Sequence, residues 1–443
     1  MRDFAVSDDP AVQRQLDRLG ALSLPAGRFG LETITELLRR LGDPQLHLPP
    51  VFHVAGTNGK GSTCAFLRAM LEAEGLTVHA ATKPHLVRYN ERIRVAGKLI
   101  SDAMLADLLA EVLDIGSDLE PTFFEVTAAA GFLAFARVPA DACILEVGLG
   151  GRLDATNVLV APAACGLASL GIDHEAFLLR PEAGTPDDPL ARIAFEKASI
   201  ARAGSPLVTQ AYPPVAAEEV ARTAAHAGAR LVVRGQGWSA EVAGDAIAYR
   251  DALGALTLPL PTLPGAHQAD NAGLAVAMLR HQQAVQVSPA AMAQGIRAAR
   301  WPARLQLLGE GPLTAQAPGR QVWLDGGHNP DAGTAIARFF AGRGGNDDRH
   351  RPLHLVIGML ANKDPGALLK PLSGRLASVS VVPAPGHDAH APEDFAAHTP
   401  LPVRSFATVP EALAALPPEG DVLIAGSLYL AGEVLRLNRE FPD

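Results

Sequence analysis

The sequence is poor in cysteine and has no run of basic residues. Cysteine occurs three times in 443 residues, at Cys64, Cys143 and Cys165, with none of the paired spacings of a metal site. We therefore expect small buried thiols in a reducing compartment, the cytoplasm. The net charge of −9 argues against a nucleic-acid partner, because nucleic-acid binding depends on lysine and arginine.

Long apolar segments are also missing. The longest apolar runs, such as residues 158–171, contain proline and are shorter than the roughly 20 residues that cross a bilayer. The sequence begins Met1-Arg2-Asp3 without the apolar core of a signal peptide, so we expect no membrane partner. A length of 443 residues exceeds one ordinary hydrophobic core and predicts two domains.

Lysine is scarce relative to arginine. Only six of the 38 basic residues are lysine, namely Lys60, Lys83, Lys98, Lys197, Lys363 and Lys370. Because arginine supplies most of the positive charge, each lysine is a candidate for a role that needs a compact amine.

The most informative feature that is present is the segment at residues 52–63, which combines a strand end, a glycine-rich loop and the start of a predicted helix at 60–74. Backbone N–H groups of the loop and the helix N-terminus would face an anion. Lys60 would meet terminal phosphates, and the hydroxyl of Ser62 or Thr63 would lie near a metal ion, although Val54 replaces the first glycine of the usual loop. The pattern predicts a nucleoside-triphosphate site; the alternative is a glycine turn with a surface lysine. The residues of the predicted site are Gly56, Thr57, Asn58, Gly59, Lys60, Gly61 and Ser62.

A second strand-and-loop motif spans Leu145 to Asp154. Its apolar strand ends at Glu146, which could hold Mg²⁺ with phosphate oxygens, because ligands of parallel sheets lie at the carboxyl ends of strands. The alternative is a glutamate satisfied by loop N–H groups. The next apolar strand is followed by Asp173 and His174, where His174 is either a metal ligand or a solvent-facing histidine.

Lys197 lies beside Glu196 in a predicted helix with apolar neighbours. The alternative to a functional amine is a surface ion pair between these two side chains, which would contribute little to stability.

A second alternation of strands and helices begins after Trp301. We therefore expect an α/β protein with a P-loop-containing N-terminal domain at 1–300, built on a mainly parallel sheet. A smaller Rossmann-like α/β domain should occupy 301–443. Three residues of this second block are candidate ligand contacts, namely Arg304 after the inferred hinge, and Asp325 and His328 after a strand. The alternative for Arg304 is a structural ion pair.

Ten segments, taken in order, form a recognisable set. They are HVAGTNGKGST at 53–63, KPHLVRYNERIRV at 83–95, FFEVT at 123–127, LEVGLGGRLDATN at 145–157, IDH at 172–174, AFEKASI at 194–200, HQADNA at 267–272, WPARLQ at 301–306, DGGHNPDA at 325–332 and GSLYLAGEV at 426–434. Together they resemble the folylpolyglutamate synthase/dihydrofolate synthase family of the Mur ligase superfamily, over nearly the whole chain.

This resemblance implies an ATP- and Mg²⁺-dependent ligase that joins L-glutamate to dihydropteroate, to tetrahydrofolates, or to both. In such enzymes ATP first phosphorylates the acceptor carboxylate, and the glutamate amine then displaces phosphate. The resemblance also implies that Lys197 is carbamylated and, with Lys60 and His174, catalytic. Family precedent favours a monomer.

The resemblance further assigns roles by position. Glu146 and His174 would hold the metal, as would Ser62 in the phosphate loop. Asn271, Arg304, Asp325 and His328 would contact ATP. The pterin pocket would be lined by Thr122, Phe123, Phe124, Glu125, Leu153 and Asp154, and by Arg28, Phe29 and Gly30.

Three departures from the family pattern stand out. Lys83 replaces a serine that is a Mg²⁺ ligand, and we expect its amine to contact a terminal phosphate; the alternative is a solvent-facing amine. Arg28 stands where the family usually has aspartate. An apparent insertion at 180–188 predicts an altered loop near the active site.

Three other functions stay open. A folylpolyglutamate synthase without dihydrofolate synthase activity would release ADP with folates and never with dihydropteroate. A peptidoglycan-type Mur ligase should carry a UDP-binding domain before its phosphate loop, where this chain has only about 50 residues. An ATP-binding regulatory module would bind ATP without glutamate-dependent ADP release.

Overall fold

The computed structural model describes residues 6–22, 30–342 and 351–443. The chain divides into two compact units, Met1–Thr262 with Gln268–Ala299, and Leu263–His267 with Arg300–Asp443. Arg28 and Phe29, both predicted pterin contacts, lie outside the described residues. No helix in the described ranges is long and apolar enough to cross a membrane.

The first unit is built on an eight-stranded sheet. Its strands, in chain order, are β1 (Val51–Ala55), β2 (Val78–Ala81), β3 (Ile93–Val95), β4 (Lys98–Leu99), β5 (Ala142–Glu146), β6 (Ala164–Leu167), β7 (Pro206–Thr209) and β8 (Arg230–Val233). The spatial order is β4-β3-β2-β5-β1-β6-β7-β8. The six strands from β2 to β8 in this order run parallel, while β3 and β4 form an antiparallel edge. The mainly parallel sheet is therefore confirmed.

Helices cover both faces of this sheet. They are α1 (Pro10–Gly20), α2 (Glu32–Arg40), α3 (Lys60–Ala73), α4 (Asp102–Ile115), α5 (Phe123–Arg137), α6 (Glu175–Leu178), α7 (Pro189–Ala198), α8 (Pro214–Ala227), α9 (His267–Arg280) and α10 (Pro289–Ala298). On one face, one core joins α1, α2, α4 and α5 to the sheet, and a second joins α7 and α8 to it. On the other face, Met278 of α9 packs against Gly166 of β6. Since both faces are covered, the central strands β1, β5 and β6 are buried along their whole length, which explains their continuous apolar sequences.

A three-stranded antiparallel sheet in the first unit was not predicted. Its strands are β9 (Trp238–Ala243), β10 (Ala246–Asp251) and β11 (Gly254–Pro259), in the order β11-β10-β9. Exposed and buried residues alternate along β10, as expected for a sheet with one face in solvent.

The second unit contains a six-stranded sheet in the order β12-β13-β17-β14-β15-β16. Its strands are β12 (Gln306–Leu307), β13 (Val322–Leu324), β14 (Leu353–Ile357), β15 (Leu376–Val381), β16 (Val403–Ser405) and β17 (Asp421–Ala425). Its helices are α11 (Pro330–Gly342), α12 (Gly366–Leu372), α13 (Pro392–Ala396), α14 (Val409–Ala414) and α15 (Leu428–Asn438). All strand pairs except β12–β13 are parallel, which agrees with the predicted Rossmann-like α/β unit.

All three cysteines are buried and form no disulfide. Burial raises the pKa of the thiols of Cys64, Cys143 and Cys165. These are the inert, packed thiols that the sequence predicts.

Candidate active site

The glycine-rich loop joins the carboxyl end of β1 to the start of α3. Gly59 immediately precedes the helix with a φ of 86°, a conformation that favours glycine, and a Cβ atom there would overlap Oδ1 of Asn271. The predicted ATP residue Asn271 therefore lies directly against the loop.

The loop is tied to the segment that follows β6. The Thr57 N–H donates to Ser169 O at 2.7 Å, and the Thr57 hydroxyl donates to Gly171 O at 2.8 Å. The Lys60 amine turns back onto its own loop and donates to Gly56 O at 2.9 Å and Thr57 O at 3.2 Å. These bonds fix the path of the loop and keep the Lys60 charge over it.

The first turn of α3 supplies buried hydroxyls. Ser62 and Thr63 are 2% and 0% exposed, and Thr63 Oγ1 has no hydrogen-bond partner among the described residues. Buried hydroxyls without partners are costly, which favours a ligand that completes them.

Glu146 ends β5 next to the phosphate loop, because Val54 of β1 is its register partner. The carboxylate is 3% exposed, and its Oε2 accepts the N–H of Lys83 at 3.0 Å. Within the described ranges, the surroundings of Glu146 included, no group of three or more histidine, cysteine, aspartate or glutamate side chains gathers as a metal site. A metal at Glu146 would thus need hydroxyl, water or phosphate ligands, as Mg²⁺ commonly has.

Asp154 organises the loop that follows β5. Its Oδ2 accepts the N–H groups of Gly148 at 2.9 Å and Leu149 at 3.0 Å, and its Oδ1 accepts the N–H and hydroxyl of Thr156 at 3.0 and 2.6 Å. Burial alone would raise the pKa of this carboxyl, but the Lys83 charge and these hydrogen bonds outweigh it and lower the pKa.

The Lys83 side chain is buried, so the alternative of a solvent-facing amine is wrong. Only 9% of the side chain is exposed, and its Nζ lies 3.7 Å from Oδ1 of Asp154. The amine thus faces the predicted pterin side of the site. Its expected contact with a terminal phosphate stays a prediction.

Lys197 is buried in α7, with 4% of the residue exposed. Burial lowers the pKa of its ammonium to about 7; the Lys60 charge acts in the same direction, and the carboxylates of Asp173 and Glu196 oppose it. No carboxylate of the described chain forms an ion pair with the Lys197 amine. The alternative of a surface pair with Glu196 is therefore wrong.

Glu196 instead belongs to a four-residue charge network. Its carboxylate contacts Arg152 at 3.0 Å and Arg192 at 3.2 Å, and its main-chain oxygen accepts the Arg152 N–H at 2.7 Å. Glu182, within the apparent insertion, pairs with the same two arginines. Through Glu182, the insertion thus helps to hold the glycine loop after β5 against α7. Neither this network nor the Ser169–Thr57 contact was predicted from the sequence.

His174 occupies a left-handed backbone conformation, with a φ of 55°, just before α6. Its N–H donates to Oδ1 of Asp173 at 2.7 Å. Asp173 therefore orients the His174 backbone.

The predicted pterin segment starts α5. Thr122 and Glu125 form a capping box, in which Thr122 N–H donates to Glu125 Oε2 at 2.8 Å. Phe124 is 41% exposed and meets Phe123 edge to face at 5.3 Å. The Arg92 guanidinium lies 5.4 Å from the centre of the Phe123 ring. The exposed Phe124 ring therefore packs against a Phe123 ring that is itself held by a neighbouring side chain. Of the other predicted contacts, Leu153 is half-buried, as is Gly30 before α2.

In the second unit, three predicted residues lie together after β13. Asp325 accepts the N–H groups of Leu305 at 2.8 Å and Gly327 at 2.7 Å. His328 Nδ1 lies 3.0 Å from Gly326 O, and the Arg304 guanidinium lies so close that a Cβ on Gly326 would be 3.3 Å from it. The structure thus joins Arg304, Asp325 and His328 at one strand end.

A glycine loop between a parallel strand and a helix, a lysine over that loop and a carboxylate on the neighbouring strand define a P-loop nucleotide-binding enzyme. No protein-family model matches the chain. It is 34% identical to dihydrofolate synthase/folylpolyglutamate synthase of Escherichia coli, covering 92% of this chain and 91% of that protein. It is 33% identical to folylpolyglutamate synthase of Lacticaseibacillus casei, covering 90% and 92%.

Solved structures agree with these relatives. E. coli FolC in complex with DHPP and ADP has a TM-score of 0.84 and 32% identity, covering 97% of both chains. The Yersinia pestis bifunctional enzyme with Mn, AMPPNP and L-glutamate bound has a TM-score of 0.82 and 30% identity, covering 98% of this chain and 99% of that one. The chain spans half the length of a Halobacterium salinarum relative, a probable bifunctional folylpolyglutamate synthase/dihydropteroate synthase.

The chain therefore belongs to the dihydrofolate synthase/folylpolyglutamate synthase family of ATP-dependent ligases, within the Mur ligase superfamily.

Proposed function

We propose that this protein is bifunctional and adds L-glutamate both to dihydropteroate and to the γ-carboxylate of tetrahydrofolates. ATP transfers its γ-phosphoryl group to a carboxylate oxygen of the acceptor and leaves as ADP. The glutamate nitrogen then bonds to the acyl carbon, phosphate leaves, and the amine proton passes to solvent. The observation that carries the proposal is the Glu146 carboxylate beside the phosphate loop.

The phosphate loop fits a nucleotide. The space beside Gly59 is closed to any side chain, and the buried hydroxyl of Thr63 needs a partner. The Lys60 amine is held over the loop by the carbonyl groups of Gly56 and Thr57. When ATP is bound, this ammonium would turn toward the transferring phosphoryl group and stabilise its negative charge. Asn271 is the adjacent proposed ATP contact, and Arg304, Asp325 and His328 are the proposed contacts from the second unit.

The residues present also fit a divalent metal. Glu146, Ser62 and His174 are its proposed ligands, and oxygen-rich partial ligation suits Mg²⁺. When bound, the ion would neutralise phosphate charge and orient the phosphoryl group. Glu146 would position it, while its bond from the Lys83 N–H holds the carboxylate in place.

We further propose that Lys197 is carbamylated. Its amine is buried, lies in the field of Lys60 and has no paired carboxylate among the described residues, so its neutral form is accessible. The amine nitrogen bonds to the carbon of CO2 and releases a proton, which yields an anionic carbamate in the field of the Lys60 charge.

The pterin ring would lie on Phe124, whose exposed aromatic face suits a flat heterocycle. Thr122, Glu125 and Asp154 would shape this pocket through their hydrogen bonds to the backbone. Leu153 and Gly30 are the remaining proposed wall residues of the described chain.

A coupled assay with ATP, L-glutamate and one acceptor at a time tests the function. We expect glutamate-dependent ADP release with dihydropteroate and with tetrahydrofolate. ADP release with folates alone would make the protein a folylpolyglutamate synthase only. ATP binding without glutamate-dependent release would instead indicate a regulatory module.

A further inference from the structure

Lys83 carries a buried positive charge whose hydrogen-bonding capacity is not used within the described protein. An ammonium group has three N–H donors and no acceptor. Nζ of Lys83 is buried and has no hydrogen-bond partner among the described residues. Burying a charged group without hydrogen bonds is costly, so this amine requires an oxygen ligand.

Asp154 balances the charge of Lys83 but does not satisfy its hydrogens. The two groups are 3.7 Å apart, beyond hydrogen-bond distance. Asp154 already accepts four hydrogen bonds from Gly148, Leu149 and Thr156, which fill the positions around its oxygens. The amine is therefore held near this carboxylate with its hydrogens available to another acceptor.

The position of Lys83 indicates which chemical group accepts the hydrogen bonds of its amine. Its backbone N–H binds Glu146, the carboxylate beside the phosphate loop, while its amine faces Asp154 on the predicted pterin side. The acceptor carboxylate must reach between these two places to be phosphorylated. Gly148 lies directly against the amine, since a Cβ there would stand 3.4 Å from Nζ and 3.1 Å from Cδ of Lys83, so a larger residue at this position would crowd the Lys83 side chain.

We propose that the Lys83 ammonium binds the carboxylate of the pterin-linked acceptor and makes this chain selective for an anionic acceptor. The inference rests on the proposed function, because it assigns a residue to the acceptor of that reaction. Lys83 would act as a cation supplied by the protein at a position where the family usually has a neutral serine.

The test compares two ligands in two variants. Binding of pteroate and of its carboxamide analogue is measured by calorimetry in wild type and in Lys83→Met, which removes the charge and keeps the length of the side chain. We expect wild type to prefer the carboxylate by roughly 10- to 100-fold, as for a charge-assisted hydrogen bond. This preference should largely disappear in Lys83→Met. Lys98→Met, which alters an exposed lysine, is the matched control and should keep the preference.

Other results would overturn the proposal. An unchanged carboxylate preference in a folded Lys83→Met variant would assign the amine to an internal water, for which the adjacent cavity of about 10 Å³ has room. Weaker ATP binding with the carboxylate preference intact would place the amine at a phosphate. If wild type binds neither pteroate nor its analogue, the proposed function itself fails. A lower melting temperature without a change in the ligand ratio would show a structural role only.

Discussion

The carbamate that we propose on Lys197 predicts that the activity of this protein depends on CO2, and on pH in a defined direction. The amine reacts only when neutral. Burial brings the pKa of Lys197 from 10.5 to about 7, so roughly half of the amines are neutral at pH 7. At the ordinary pKa only about one amine in 3,000 would be neutral at that pH. Burial thus raises the reactive fraction by about three orders of magnitude.

The sign of the pH effect follows from this shift. Above pH 7 the amine is mostly neutral and carbamylation is favoured; as the pH falls to 6, only about one amine in ten stays neutral. At constant dissolved CO2, we expect carbamate occupancy to fall severalfold between pH 8 and pH 6. The assay is ¹³C NMR of the protein in ¹³CO2-equilibrated buffer, with ligase activity measured on the same samples.

Two variants make this experiment decisive. Lys197→Met and Lys197→Arg should show no labelled carbamate and lose most activity, because neither side chain offers a neutral amine. Lys98→Met removes an exposed lysine and should retain both the label and the activity. Full activity of wild type in CO2-free buffer, without a carbamate signal at pH 8, would refute the reasoning.

Three further predictions concern the phosphate loop and the acceptor. Lys60→Ala should lower kcat by roughly 10²- to 10³-fold with an unchanged melting temperature, and wild-type turnover would remove Lys60 from the site. Gly59→Ala should weaken binding of a non-hydrolysable ATP analogue at least about tenfold, because a Cβ meets Asn271 at a φ of 86°; unaltered affinity in calorimetry would contradict this. Phe124→Ala should raise KM for dihydropteroate roughly tenfold and leave KM for ATP unchanged, and equal effects on both would argue against pterin stacking.

The central sheet and the phosphate loop could be predicted from sequence because their signals are local. A buried parallel strand is a continuous apolar run, and a glycine loop followed by a helix ends it. Glu146 could be placed beside the loop because parallel strands present their carboxyl ends at one edge. The family resemblance added the roles, and the relatives support the same family.

The antiparallel sheet of β9 to β11 was missed although a local signal existed. β9 and β10 are separated by only two residues, Gly244-Asp245, which suit a tight hairpin turn. The alternation along β10 is regular, but an exposed Arg250 and Ala248 make the segment only weakly apolar. The charge network around Glu196 had only a partial local signal. Arg192 and Glu196 are four residues apart on α7, whereas Arg152 and Glu182 lie on other segments and join them only after folding.

The predicted site residues fall into two groups. Some are already hydrogen-bonded within the protein and build the site, and others keep polar atoms with which to contact a ligand. The Asp154 carboxylate is filled by hydrogen bonds from its own loop, and Glu125 caps the helix that carries it. A carboxylate held in this way fixes backbone geometry and has little capacity left for a substrate. Lys83 has a buried Nζ without a hydrogen-bond partner among the described residues, and Lys197 is buried in α7. Neither amine is committed to a loop or a helix cap in this way, so these two lysines, rather than Asp154 and Glu125, are the groups that we propose for acceptor binding and for carbamylation.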